Sequence, residues 1–192
     1  MGLALLALPL DGRVAAWAGG LSRRGDFWRE LDALQQYGQG VSLALAAVLV
    51  WQLDPPKRGR LADLAAGVAT TWVAVFGLKL LTGRPRPRTG RAYGFVWPWD
   101  RWESASGSRH AWEFWAGADA EVWSMPSSHA AMAAVLSLFL ARTYPGLRGL
   151  AVVMAVLVCC GRVAFGAHYP SDVLVGAAVG WGIGSGALRG RW

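Results

Sequence analysis

Two basic residues, Lys79 and Arg86, lie at the end of an apolar run in this chain of 192 residues. An ammonium group supplies a point charge and a guanidinium a planar fork, a combination that suits a phosphoryl group. The alternative is a basic patch on anionic lipid headgroups, extended by Arg84, Arg88 and Arg91. Lys79 has apolar neighbours near the end of a predicted membrane span, where a cation is costly, and this favours the phosphate site.

A second polar stretch, Pro126-Ser-Ser-His129, opens another apolar run. Pro126 is typical of the first turn of a helix, and the backbone N–H groups of the next three residues have no partner within a helix. They predict an anion site at the helix N-terminus, to which the hydroxyls of Ser127 and Ser128 add donors. His129 is placed to give a proton to a leaving oxygen. A structural, hydrogen-bonded histidine is the alternative.

A third stretch holds Arg162, His168 and Asp172. Pro170 marks a helix start between the histidine and the aspartate, and their spacing of four lets Asp172 accept a hydrogen bond from one ring nitrogen. The other nitrogen is then free, as nucleophilic attack by an imidazole requires. Arg162 offers a second guanidinium for phosphate. The alternative is a structural His–Asp pair that caps the helix.

The composition indicates which elements position these stretches. Hydrophobic residues make up 54% of the chain and charged residues 16%, with 12 Trp, which is unusual for a soluble domain. Each apolar run approaches the roughly 20 residues of a membrane span once its flanks are included. These runs occupy residues 37–53, 64–78, 130–141, 149–161 and 173–188.

We therefore predict an all-α integral membrane bundle, a single domain over residues 1–192 with about five transmembrane helices. Residues 1–36 are predicted to form an N-terminal region with an amphipathic helix or helix pair on the membrane surface, because charges alternate with apolar residues between 13 and 34. A sixth span over residues 1–20 stays open. A soluble α protein with a buried core is the alternative class.

Local patterns also predict how the helices end and pack. The Gly and Pro residues within 83–87 predict that the second helix ends near Thr82. In the last run, Gly176, Gly180 and Gly184 recur every four residues. Such a stripe permits close helix packing, which we expect inside the bundle, with a dimer contact as the alternative.

Charge in the short links predicts the orientation. Basic links at 54–60 and 142–148 and a basic tail at 189–191 fall on one side if each run spans once, and the positive-inside rule makes that side cytoplasmic. The three polar stretches then meet at the opposite face. The link of residues 88–124 lies on that face too, either along the bilayer surface or as a small lid. It carries six tryptophans: Trp97, Trp99, Trp102, Trp112, Trp115 and Trp123.

Three motifs carry a family resemblance: Lys79-x6-Arg86-Pro87, Pro126-Ser-Ser-His129 and Arg162-x5-His168-x3-Asp172. Their order and spacing resemble the signature of the phosphatidic acid phosphatase type 2 superfamily. That superfamily includes membrane lipid-phosphate phosphatases, glucose-6-phosphatase and vanadium haloperoxidases. Two positions depart from the family pattern, because Ser128 stands where Gly is most frequent and Gly161 precedes the arginine where Ser is usual.

The resemblance implies a role for each residue. His168 attacks phosphorus and forms a phosphohistidine, Asp172 holds its tautomer, and His129 protonates the leaving group. The phosphate oxygens are held by five residues: Lys79, Arg86, Ser127, Ser128 and Arg162. No metal or cofactor is implied, and the chain has no carboxylate cluster or Cys/His spacing typical of a metal site.

The expected function is therefore a membrane lipid-phosphate phosphatase, acting on a lipid monophosphate or diphosphate at the outer face of the cytoplasmic membrane. The expected partners are the lipid substrate and the bilayer, not nucleic acid. A sugar-phosphate substrate is harder to exclude than a soluble haloperoxidase, whose chains are much longer. Binding or transport of anionic headgroups without hydrolysis is the alternative function, and a structural membrane protein is the third. The sequence does not predict an oligomeric state.

Overall fold

The computed structural model of the chain describes residues 2–104, 107–116 and 120–188. Within these residues the chain forms eight α-helices and one short antiparallel hairpin, in which Trp102 pairs with Arg109. The helices are α1 (Gly2–Ala7), α2 (Asp11–Gly19), α3 (Asp26–Gln35), α4 (Gly40–Leu53), α5 (Arg60–Thr82), α6 (Ser128–Thr143), α7 (Arg148–Ala164) and α8 (Pro170–Ala187). The strands are β1 (Trp102–Ser104) and β2 (Gly107–Arg109).

The five apolar runs form α4 to α8, so the prediction of five apolar helices is confirmed. Helix α6 is the centre of the bundle, because every residue from Ala130 to Phe139 is buried. The surrounding helices expose large apolar side chains, a surface that suits lipid and not water. Examples are Val41, Leu45, Trp72, Val73, Leu150, Val153 and Trp181. The soluble alternative is wrong for this reason.

Fewer segments qualify as membrane spans than form apolar helices. By length and composition, two segments within the described residues qualify as spans, Arg60–Thr89 and Pro145–Ala164. The pair Asp26–Gly38 and Gly40–Leu53 qualifies together as one span bent by 64°. Residues 2–19 form the short helices α1 and α2, joined at Leu8–Leu10, in place of the sixth span that the sequence left open. About five spans remains a prediction.

The glycine stripe of α8 packs against α6. A Cβ atom on Gly176 would lie 2.4 Å from the carbonyl oxygen of Ser127, and one on Gly180 would lie 2.1 Å from that of Ala131. Only glycine permits so close a backbone approach, so the predicted packing inside the bundle is confirmed. The same contact brings the backbone N–H of Ser127 to the carbonyl oxygen of Asp172 at 3.0 Å. The second and third polar stretches are thereby joined.

The two basic links meet at one end of the bundle. Tyr144 donates a hydrogen bond to the Asp54 carboxylate at 3.1 Å, and the ammonium of Lys57 lies 4.0 Å from the centre of the Tyr144 ring. The hydrogen bond from Lys57 is the main cause that lowers the pKa of Asp54. The predicted common side of links 54–60 and 142–148 is confirmed, whereas the basic tail at 189–191 lies outside the described residues.

The N-terminal region contains the predicted helix pair, α2 and α3, but it is more than a surface element. The Trp28 ring of α3 packs edge-on against Phe165, with 5.5 Å between ring centres. Leu31 and Gln35 are buried, and Asp11 of α2 is fully enclosed. The region therefore inserts polar side chains into the bundle, which its amphipathic pattern did not predict.

Candidate active site

The end of α5 positions the first polar stretch. The helix stops at Thr82, as predicted, because Gly83 adopts a left-handed conformation with φ of 46°. A Cβ atom there would lie 2.1 Å from the Val96 carbonyl oxygen, so the turn requires glycine. Lys79, one turn before the end, is buried and donates to the Trp123 carbonyl oxygen at 2.5 Å. Arg86 follows in extended conformation, and its Nη1 donates to the Ala167 carbonyl oxygen at 3.1 Å.

The start of α6 differs from the predicted arrangement in one detail. Ser127 is the N-cap, and its hydroxyl accepts a hydrogen bond from the backbone N–H of Ala130 at 3.5 Å. Pro126 follows a cis peptide bond and precedes the cap, so its placement in the first helical turn is wrong. The Ser127 N–H already donates to Asp172, which leaves Ser128 and His129 to supply the first-turn amides that face an anion.

His129 is half-buried in the first turn of α6. Its Nε2 atom lies 2.6 Å from the side-chain nitrogen of Gln39, and the tautomer sets the direction of this hydrogen bond. Gly38 packs beneath it, since a Cβ atom at that position would lie 2.4 Å from the His129 carbonyl oxygen. The break between α3 and α4 therefore holds both the backbone and the ring of His129.

His168 lies in the turn before α8, almost fully buried at 3% exposure. Its Nδ1 is 3.6 Å from Oδ2 of Asp172, longer than the direct hydrogen bond that the spacing predicted. The hydroxyl of Ser124 donates to the same Oδ2 at 2.5 Å and lies 3.5 Å from Nδ1. Burial lowers the pKa of His168 to about 4, against the opposing effect of Asp172. The imidazole is therefore neutral at neutral pH.

A single cavity of about 420 Å³ joins the three stretches. Six of the eight predicted site residues line it: Lys79, Arg86, Ser128, His129, Arg162 and His168. The other two, Ser127 and Asp172, are fully buried and are not among the lining residues. The prediction that the three polar stretches meet at one place is thus confirmed, whereas the chemical roles of these residues remain predictions.

Positive charge dominates this cavity. Lys79, Arg86 and Arg162 share its wall, and cations this close repel one another unless an anion lies between them. Arg162 donates from Nη1 to the side-chain oxygen of Gln35 at 3.1 Å. Its buried Nε has no hydrogen-bond partner within the described residues. An anion with several oxygens would satisfy these donors.

Sequence reasoning missed several residues behind the cavity. Arg84 was named only in the alternative interpretation, a headgroup patch, but it is fully buried and pairs with the carboxylates of Asp11 and Asp172. Gln35 and Gln39 were not singled out either. A lone acid within an apolar start, Asp11, was an available signal, and so was a second arginine in the run Gly83-Arg-Pro-Arg-Pro87.

The loop of residues 88–124 packs its own apolar cluster beside the site. Val96, Ala111 and Val122 are buried there, with Trp102 and Trp123 against them. Trp99 and Trp115 are exposed, at 75% and 66%. The packed cluster agrees with a small lid, whereas a position along the bilayer surface stays a prediction, and residues 105–106 and 117–119 lie outside the described part.

The described residues contain no group of three or more His, Cys, Asp or Glu side chains able to hold a metal ion. The arrangement instead provides an enclosed imidazole, a second imidazole and three cations around one cavity. Such a set can bind a phosphate group and transfer it.

Comparison with known proteins supports this chemistry. The sequence model of the PAP2 superfamily matches residues 60–192. No curated protein matches the chain. The crystal structure of Aquifex aeolicus LpxE is similar, with a TM-score of 0.66, 20% identity and alignment over 96% of this chain and 95% of that one.

A second crystal structure is also similar, that of the first transmembrane PAP2 type phosphatidylglycerolphosphate phosphatase from Bacillus subtilis. Its TM-score is 0.62 at 20% identity, and the alignment covers 96% of this chain and 90% of that one. Identity this low shows a shared fold.

Proposed function

The chain belongs to the PAP2 superfamily, and from this premise we propose that it is a lipid phosphatase that hydrolyses a lipid phosphomonoester or diphosphate through a phosphohistidine, without a metal ion. The observation that carries the proposal is the single cavity that holds His168, His129 and three cations beside an apolar wall.

In the proposed first step, Nε2 of His168 attacks phosphorus while the bond from phosphorus to the lipid oxygen breaks. The leaving oxygen takes a proton from His129, whose protonated form is favoured by the bound phosphate's negative charge. Neutral His129 then takes a proton from a water molecule that attacks the phosphohistidine. The phosphorus–nitrogen bond breaks, phosphate leaves and both histidines are restored. Asp172 and Ser124 hold the Nδ1 side of His168 throughout.

The phosphate oxygens would lie among Lys79, Arg86 and Arg162, with the amides and hydroxyl at the start of α6. Fixed donors of this kind stabilise charge that develops in the transition state, because they need no rearrangement during the reaction. Ser127 contributes less than the sequence implied, since its hydroxyl and its N–H already have partners in the protein.

The apolar part of the cavity wall favours a lipid over a sugar phosphate. Leu43, Val68, Trp72 and Met132 line it, where α4, α5 and α6 face one another. Trp72 is 59% exposed toward the lipid side of the bundle. A hydrocarbon tail can lie along this wall, whereas the hydroxyls of a sugar would find no hydrogen-bond partners on it.

We further infer that the cavity opens to the outer face of the cytoplasmic membrane. The basic links at 54–60 and 142–148 lie at the opposite end of the bundle, and positive charge in short links marks the cytoplasmic side. Cysteine labelling with a membrane-impermeant reagent tests this, using Ser108→Cys in the hairpin and Lys57→Cys in the basic link, both in a Cys159→Ala, Cys160→Ala background.

The function itself is tested by phosphate release from the detergent-purified protein. The panel holds phosphatidylglycerol phosphate, phosphatidic acid, undecaprenyl diphosphate, lipid A 1-phosphate and glucose 6-phosphate. We expect release from at least one lipid and loss of release in His168→Ala, with His110→Ala, a loop histidine outside the cavity, as the matched control. Full activity in His168→Ala would overturn the mechanism. Lipid binding without release would favour headgroup binding or transport.

A further inference from the structure

A buried ionic network lies directly behind the cavity and reaches the N-terminus of the chain. Arg84 stands at its centre, with one guanidinium nitrogen 2.6 Å from Oδ1 of Asp172 and the other 2.7 Å from Oδ2 of Asp11. The side chains of all three residues are 0% exposed. Ser171, also fully buried, donates from its hydroxyl to Asp11 at 2.5 Å.

We propose that Asp11 and Arg84 are positioning residues, which fix the carboxylate of Asp172 and through it the nucleophilic imidazole of His168. The proposal rests on the proposed function for the identity of the nucleophile. Helix α2 would then have a part in setting the geometry of the site, although it lies outside residues 60–192, which match the family.

Both oxygens of the Asp172 carboxylate are held by hydrogen bonds. Its Oδ1 accepts from Arg84, and its Oδ2 accepts from Ser124 at 2.5 Å and from the backbone N–H of Tyr169 at 2.9 Å. Each oxygen is thus held from a different direction, and the carboxylate has no freedom to rotate. His168 faces the Oδ2 side, so the position of its Nδ1 depends on how firmly Arg84 holds Oδ1.

Asp11 also acts on Asp172 through its charge. Without Asp11, the whole positive charge of Arg84 would act on Asp172, and the carboxylate would be a poorer acceptor toward His168. Asp11 shares the guanidinium, and it also accepts the first-turn N–H of Ser171 at 3.1 Å, which ties α2 to the start of α8. Asp11 therefore sets both the place and the basicity of Asp172, without reaching the cavity.

Stability alone accounts poorly for such a network. Two carboxylates and one guanidinium removed from water carry a large desolvation cost, and apolar side chains of similar volume would often be as stable. The network sits against Asp172, the carboxylate that faces the nucleophile. Its location agrees with a role in the reaction, because residues that hold a site residue in place can affect activity without touching the substrate.

The decisive variant is Asp11→Asn, which keeps the shape and an acceptor for Ser171 but removes the charge. Asp26→Asn, at an exposed acid of α3, is the matched control. On the lipid that the wild type hydrolyses, we expect kcat to fall by about 10-fold to 100-fold with KM changed by less than about 3-fold. Arg84→Lys keeps a charge but cannot bridge both carboxylates, and it should lower kcat similarly.

A second readout does not depend on activity. The chain has three histidines, so 15N-histidine labelling gives few imidazole signals, and His168→Ala identifies the one of interest. We expect Asp11→Asn to reduce the share of His168 that carries its proton on Nδ1, and to leave the His110 signals unchanged. This measurement applies even if no lipid in the panel is hydrolysed, so failure of the proposed function is distinguishable from failure of the positioning role.

The result that would overturn the proposal is a folded Asp11→Asn protein with unchanged kcat and unchanged His168 signals. A lower melting temperature alone, with both readouts at wild-type values, would show a purely structural ion pair and would overturn it equally.

Discussion

Arg84 and Arg86 are two residues apart, yet their surroundings are opposite. Arg84 is sealed from solvent between two carboxylates, which offset its charge within the protein. Arg86 donates to the backbone oxygen of Ala167 and lines a cavity with two further cations. The structural arginine is thus neutralised by carboxylates of the protein itself. The arginine that is placed for a substrate lies beside other cations instead.

Removal of Arg84 should give the largest effect on folding. Arg84→Met leaves Asp11 and Asp172 buried without their cation, which we expect to destabilise the protein by about 3–5 kcal/mol. Thermal unfolding in detergent measures this loss. A wild-type melting temperature for Arg84→Met would contradict the contrast between Arg84 and Arg86, because neither arginine would then be structural.

Removal of Arg86 should act on the reaction instead. Arg86→Ala is expected to lower kcat/KM by about 10²–10³-fold, since one fixed donor to the phosphate is lost. Its melting temperature should fall by less than that of Arg84→Met, because Asp172 keeps Arg84 as its cation. Arg88→Ala, at an exposed side chain of the same segment, is the control. Near-normal kcat/KM in Arg86→Ala would remove it from the site.

The enclosed environment of His168 predicts an unusual titration. Because burial lowers the pKa of His168 to about 4, its imidazole should stay neutral until the pH falls well below 6. Protonation then removes the nucleophilic lone pair, so single-turnover formation of the phosphohistidine should fail on the acid side near pH 4. A 15N-imidazole titration measures the same group directly. A midpoint near 6.5, the ordinary value for histidine, would contradict the enclosed environment.

The smallest effect is expected at Ser128, where the family most often has Gly. The hydroxyl lines the cavity and adds one donor beside the amides of α6. Ser128→Gly should therefore reduce kcat/KM by only about 2-fold to 10-fold, the value of one ordinary hydrogen bond. A gain in kcat/KM would show that the hydroxyl narrows the cavity rather than assisting the phosphate.

The sequence predicted the parts of the molecule that follow local rules. Apolar runs marked the helices, Gly83 marked the end of α5, and the stripe from Gly176 marked the contact with α6. The assumption that each run spans the membrane once then predicted that the polar stretches meet, and six of the predicted residues do line one cavity. Each of these signals is carried by neighbouring residues or by a simple period.

The contacts that the sequence did not predict are distant and have no period. Arg84 meets Asp11 across 73 positions, and Arg162 meets Gln35 across 127. Nothing near Asp11 or Gln35 in the chain reveals these partners, because they depend on how α2 and α3 fold back onto α7 and α8. The position of Pro126 was missed for a different, local reason, since the neighbouring Ser127 takes the N-cap position with its hydroxyl.

The shortness of α6 has a consequence for the depth of the reaction. Its 16 residues span about 24 Å, against roughly 30 Å for the hydrocarbon layer of a bilayer. Were α6 to cross the bilayer from the level of the basic links, His129 would lie several ångströms beneath the opposite boundary. A phosphate would have to sink below the headgroup plane to reach it, and a thinner bilayer would shorten that descent. The thickness of the bilayer would then affect the turnover rate of this protein, whichever lipid is the substrate.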